Sequence, residues 1–202
     1  MTPGWRRAAR LLHQAAAITL LAAAVWHGGR AGWVEVKAHL AQHLVHRAWR
    51  AAQAGGEAVR PWPWADTLPI ARLTVPARDV DLIVLAGASG RTLAFGPGHV
   101  TGTPLPGARG TSVIAGHRDT HFAFLRELRR GDAVAVQRAD GTSVEYRVAE
   151  TGVVDRQATE VMEDAGDTRL TLVTCYPFAA VTAGGPLRYV VTARRVRGGP
   201  GA

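Results

Sequence analysis

The 202 residues contain a single cysteine, Cys175, so no internal disulfide can form and the thiol is left for burial, an intermolecular bond or chemistry. With 47% hydrophobic and 20% charged residues, collagen, coiled coil and full-length disorder are excluded. No internal repeat is present. Acidic residues are scarce at the start: residues 1–60 hold Glu35 and Glu57 against eight basic residues, a net of +6. The remaining 142 residues hold 16 Arg against 14 acids, only +2. The formal charge of +8 therefore belongs mostly to an N-terminal segment attached to a nearly neutral domain. That distribution argues against a nucleic-acid partner, for which no reading motif is present either.

Between Leu11 and Gly29 there is no Asp, Glu, Lys or Arg. As a helix this run spans roughly 28 Å, enough to cross a bilayer core. Arg6, Arg7 and Arg10 precede it, and Trp5 and Trp26 suit the two interfaces. The pattern predicts a basic segment over 1–10 and a retained signal anchor over 11–29, although Ala22-Ala23-Ala24 also fits a cleavage site. Arg30 and Lys37 nearly balance the flanking charge, so orientation stays open on charge alone. Over 30–60 the spacing of Trp33, Val36, Leu40, Leu44 and Ala48 predicts an amphipathic linking helix. His39, His43 and His46 lack an acidic or thiol companion and read as a solvated face, not a metal site. Gly55-Gly56 is expected to end the helix. Pro61-Trp62-Pro63-Trp64 favours an extended linker over 61–67, and we place the domain boundary there.

From residue 68 the period changes to short β runs. Strands are predicted at 71–75, 80–85, 111–116, 133–137, 144–154, 169–174 and 187–196, with a hairpin at Ala139-Asp140-Gly141-Thr142 and one helix at 122–129. Seven or eight strands without alternating helices predict an all-β barrel or sandwich over 68–197, followed by a disordered tail at 198–202.

The run Thr171-Leu172-Val173-Thr174-Cys175 stops at Tyr176-Pro177, placing the thiol at a strand end. Cys175 reads either as a small apolar residue or as a nucleophile, which would need a base or cation beside it. Of the eight histidines, six lie in the anchor, the linking helix or a Gly-Pro loop. His117 and His121 remain, and His117 ends the 111–116 strand as Cys175 ends its own. Arg188 sits among Leu187, Tyr189, Val190 and Val191, where a charge requires a partner or a function. It could stabilise an oxyanion.

Taken together, Ile114-Ala115-Gly116-His117-Arg118-Asp119-Thr120, the Thr171–Cys175 motif and the later Arg188 resemble the catalytic set of the sortases, membrane-anchored cysteine transpeptidases. Gly96-Pro97-Gly98-His99, Pro106-Gly107 and Leu128-Arg129-Arg130-Gly131-Asp132 support the similarity, which covers residues 68–196. The tract Pro61 to Asp66, with Asp132 and the long helix, resembles the Gram-negative subgroup. The resemblance implies a sortase-like eight-stranded β-barrel with His117, Cys175 and Arg188 catalytic, Thr174 shaping the strand end and contacting substrate, and Asp119 ordering its loop. It implies an LPxTG-like sorting peptide as substrate, an amine acceptor, and an inner-membrane anchor with the N-terminus cytoplasmic and the domain periplasmic. No acidic cluster suggests calcium, so no cofactor is expected. The alternatives are a periplasmic cysteine peptidase or L,D-transpeptidase-like enzyme, although the compact Ser-His-Gly-Cys stretch of L,D-transpeptidases is missing, and a non-enzymatic anchored barrel that binds cell-wall polymer.

Overall fold

The computed structural model describes residues 3–55, 58–159, 163, 166–182 and 184–196. Gly56, the tail expected at 198–202 and the side chains of residues 1–10 and Leu12 lie outside that description. The chain forms two compact units, Met1–Gln42 and His43–Ala202.

The first unit lies within one helix, α1 (Pro3–Gly55), which covers the expected anchor at 11–29 and the linking segment as far as Gly55. Ile18, Leu21, Val25, Trp26, Trp33, Val36 and Leu40 are exposed along it. No helix among the described residues is long and apolar enough to cross a membrane.

In the second unit the last turns of α1 carry a buried stripe of Val45, Ala48, Trp49 and Ala52. Val45 and Trp49 pack with Ile83 and Leu85 and with the partly buried Trp62 and Phe95. Of Trp33, Val36, Leu40, Leu44 and Ala48, the apolar residues read along this helix, only Ala48 is buried.

Eight strands close into a barrel: β1 (Pro69–Val75), β2 (Val80–Ala86), β3 (Gly98–His99), β4 (Gly110–Ala115), β5 (Ala133–Arg138), β6 (Ser143–Asp155), β7 (Thr168–Tyr176) and β8 (Leu187–Arg195). Their order around the barrel is β1-β2-β3-β4-β7-β8-β6-β5. Alternation fills the interior, since every second residue points inward: Ala71, Leu73 and Val75 from β1, Val134 and Val136 from β5, Val144, Tyr146 and Val148 from β6, Leu170 and Leu172 from β7. Phe122, Leu125 and Leu128 plug the core. The helix expected at 122–129 is a shorter 3₁₀ turn, Ala123–Glu127. The Asp140-Gly141 hairpin joins β5 to β6, with Gly141 at φ +82° and the Asp140 carboxylate accepting from Thr142 N–H at 2.9 Å. Three elements are additional to the sequence reading: the two-residue β3, the single-turn α2 (Gly90–Leu93), capped by Ser89, and a 3₁₀ turn at Pro76–Arg78.

Tyr146 gives a stability test. Its phenol is fully buried and accepts from Gly107 N–H at 2.7 Å, and burial pushes its pKa up to about 12. The unfolded tyrosine titrates near ~10, so the fold favours the neutral phenol. This contribution is complete below that value and is lost as pH rises toward the folded pKa, at about 1.4 kcal/mol per pH unit. Denaturant titrations at pH 9 and 11 are expected to show the loss in the wild-type chain and a flatter response in Tyr146→Phe; equal slopes would assign alkaline loss elsewhere.

Candidate active site

The β7–β8 ladder sets Cys175 directly opposite Arg188. Leu170 and Leu172 face the core, so alternation turns Cys175 to the outer face of the barrel, and a cross-strand partner shares its face. On the other side β4 runs parallel to β7 with Ala115 level with Val173. The pairing continues through Gly116 N–H, which donates to the Val173 carbonyl at 3.1 Å. His117 and Cys175 each follow the last registered pair, Ala115 and Val173, by two residues. His117 lies just beyond the strand, two residues after Ala115, and is exposed. The structure therefore brings His117, Cys175 and Arg188 to adjoining strand ends. Cys175 and Arg188 are both half-buried.

Thr174 faces inward, is 2% exposed, and donates its hydroxyl to the Gly116 carbonyl at 2.7 Å. It stitches the residue before Cys175 to the residue before His117. That replaces the substrate contact expected from the sequence with a positioning place, because the hydroxyl is buried and already committed.

Gly116 allows the close packing behind this stitch. A Cβ there would stand 2.6 Å from the buried Phe122 ring. Gly116→Ala is expected to destabilise the chain by about 1–3 kcal/mol and to lower turnover by displacing His117. Thermal unfolding and peptide kinetics check this; a neutral outcome in both would mean that the ring moves freely.

Arg188 Nη1 donates to the Gly185 and Leu187 carbonyls, each at 2.8 Å, which holds the guanidinium over the approach to β8. Behind the strand pair, Tyr176, Phe178 and Tyr189 form an aromatic cluster, Phe178 meeting Tyr189 edge-on at 5.2 Å and Tyr176 stacking on Tyr189 at 6.2 Å. The Tyr176–Pro177 bond is cis.

Asp119 is exposed and paired with Arg118 at 2.9 Å; that hydrogen bond holds its carboxyl below the usual range, helped by the charges of Arg118 and His117. His121 is half-buried, and burial, followed by the His117 charge, lowers its pKa. His99, which the sequence placed in a Gly-Pro loop, is buried in β3, its Nε2 within 2.9 Å of the Pro104 carbonyl and 3.1 Å of the Thr103 hydroxyl. Asp66 pairs with Arg91 at 3.2 Å, and Asp132 accepts from Arg129 N–H at 3.0 Å. The residue that sequence reasoning passed over is Arg118. Adjacent Arg and Asp read as a surface pair, and no local pattern marks this arginine as buried.

A sortase domain family model matches residues 73–196, which includes all three site residues. The chain belongs to the sortase family. Sortase D of Bacillus subtilis (strain 168) is 32% identical over 125 residues, covering 61% of this chain and 62% of that protein. Sortase A of Listeria monocytogenes is 29% identical over 110 residues, 52% of this chain and 49% of that protein. The matches thus span about half to somewhat under two thirds of these curated relatives' length. Among solved structures, sortase A from Corynebacterium diphtheriae superposes with a TM-score of 0.60 at 29% identity, covering 69% of this sortase and 66% of that chain. Sortase C-1 from Actinomyces oris gives 0.57 at 32% identity, over 63% and 74% of the two chains.

Proposed function

We propose that this sortase is a membrane-anchored cysteine transpeptidase that cuts an LPxTG-like sorting peptide and transfers its acyl part to an amine. The observation that carries the reading is the register pair Cys175–Arg188, with His117 two residues past the end of the adjoining β4–β7 ladder. The Cys175 thiolate attacks the scissile carbonyl carbon, and its oxygen takes the negative charge. Arg188 meets that charge with the N–H groups not used by the Gly185 and Leu187 carbonyls. Collapse breaks the C–N bond, the leaving amine takes a proton from the His117 imidazolium, and a thioester remains. An incoming amine attacks the thioester, His117 takes its proton, and the Cys175 thiolate departs. Water in the amine's place gives the free acid. No step requires a metal, and EDTA is expected to leave turnover unchanged.

The anchor belongs to the same proposal. The uncharged run at 11–29, the exposed apolar side chains along α1 and the basic residues at 6, 7 and 10 support a single span. The barrel then faces the periplasm and the N-terminus stays cytoplasmic. Assignment to the Gram-negative subgroup rests on the Pro61–Asp66 tract, Asp132 and the long helix.

The full chain in detergent, given a fluorogenic LPxTG-type peptide and rising triglycine, is expected to shift product from free acid to triglycine amide. Acid alone at saturating amine would make the enzyme a peptidase. Recovery of the intact chain from alkaline-washed membranes tests the anchor, and a wholly soluble chain would remove it.

A further inference from the structure

Arg118 is the only buried arginine among the described residues, with 5% of its side chain exposed. A guanidinium in that position is unfavourable unless its donors are matched. Nε donates to Asp119 Oδ1 at 2.9 Å, Nη1 to the Pro177 carbonyl at 2.8 Å and Nη2 to the Ala180 carbonyl at 2.7 Å, with a longer contact to Asp119 Oδ2 at 3.4 Å. Pro177 and Ala180 are the ends of the turn after Cys175, closed by Ala180 N–H to the Pro177 carbonyl at 3.2 Å. One side chain thus ties the residues after His117 to the residues after Cys175, while Thr174 ties the residues before them.

We infer that Arg118 is a positioning residue for the cysteine chemistry, clamping the segments that carry Cys175 and His117 at one separation. The inference rests on the transpeptidase reading. The hydrogen bond to Asp119 chiefly raises the Arg118 pKa against the opposing effect of burial; the charges of Asp119 and of ionised Cys175 add to it. The other charged or titratable groups at this end are His117, Asp119 and His121 from the loop after β4, Tyr176 from β7, and Arg188 and Tyr189 from β8. Lysine keeps the charge but cannot reach two carbonyls and a carboxylate in one plane.

The test compares the wild-type chain with Arg118→Lys and Arg118→Ala, each normalised to its folded fraction by circular dichroism. Peptide turnover and the rate of Cys175 alkylation by iodoacetamide at pH 7 are both measured. Arg118→Lys is expected to lower kcat by about 10- to 100-fold with KM within about twofold, and to slow alkylation severalfold. Arg118→Ala is expected to lose more and to regain activity and alkylation rate in millimolar guanidinium that leaves the wild type unchanged. Folded Arg118→Lys with wild-type kcat and alkylation would overturn the inference, and this variant decides alone if Arg118→Ala does not fold. No response of folded Arg118→Ala to guanidinium would also count against it. A wild-type chain that alkylates at Cys175 but cleaves no sorting peptide would instead defeat the transpeptidase reading, while the alkylation comparison would still report on Arg118.

Discussion

Cys175→Ala is expected to bring sorting-peptide cleavage to background, a loss of at least about 10³-fold, and to abolish the thioacyl mass seen when wild-type protein is mixed with peptide and quenched in acid. The thiol alone can form the covalent intermediate, and His117 and Arg188 have nothing to protonate or stabilise without it. The fold should be little changed. Cys175 lies on the outer barrel face at the end of β7 and belongs to neither hydrophobic cluster, so truncating it leaves no core cavity. Intact-mass spectrometry and circular dichroism on the same preparation separate the two effects. Full turnover in folded Cys175→Ala would remove the thiol from the reaction.

Arg188→Lys is expected to lose about 10²- to 10³-fold in kcat, the range for deleting one oxyanion donor, with a smaller change in KM. The hydrogen bonds explain why lysine does not suffice. Nη1 is already used by the Gly185 and Leu187 carbonyls, so catalysis depends on a second nitrogen held rigidly to the first. An ammonium can satisfy those carbonyls and support the turn, but it has no planar fork to offer the oxyanion. Arg188→Lys should therefore fold and bind peptide while reacting slowly. Steady-state kinetics distinguish this from a surface role, in which Lys would turn over as wild type does.

The barrel was legible because its rules are local. Seven strand runs could be read from alternation and turn residues within one or two positions of most of their ends, and Asp140-Gly141 marks its hairpin unaided. β3 was not legible: two residues carry no period, and Gly98–His99 pairs only because β2 and β4 lie on either side. The helix shows a different limit. Its length of helical pattern was readable, but its buried stripe was not, since Val45 and Trp49 are selected by Ile83 and Leu85 across the interface and not by spacing along α1.

For the site, residue chemistry and strand-end placement were enough to nominate His117, Cys175 and Arg188, because each closes or opens a β run that the chain announces locally. Residue types and order also carried the family resemblance, which the match over residues 73–196 supports. Register was a tertiary matter: Cys175 faces Arg188 through an antiparallel ladder, while the parallel β4–β7 ladder ends at Ala115 and Val173, two residues short of His117 and Cys175, and no local pattern states which strands adjoin. The same holds for the supports. Thr174 reaches Gly116 across 58 positions and Arg118 reaches Ala180 across 62, so one hydroxyl and one guanidinium became positioning groups only when barrel closure buried them beside carbonyls that water could no longer serve.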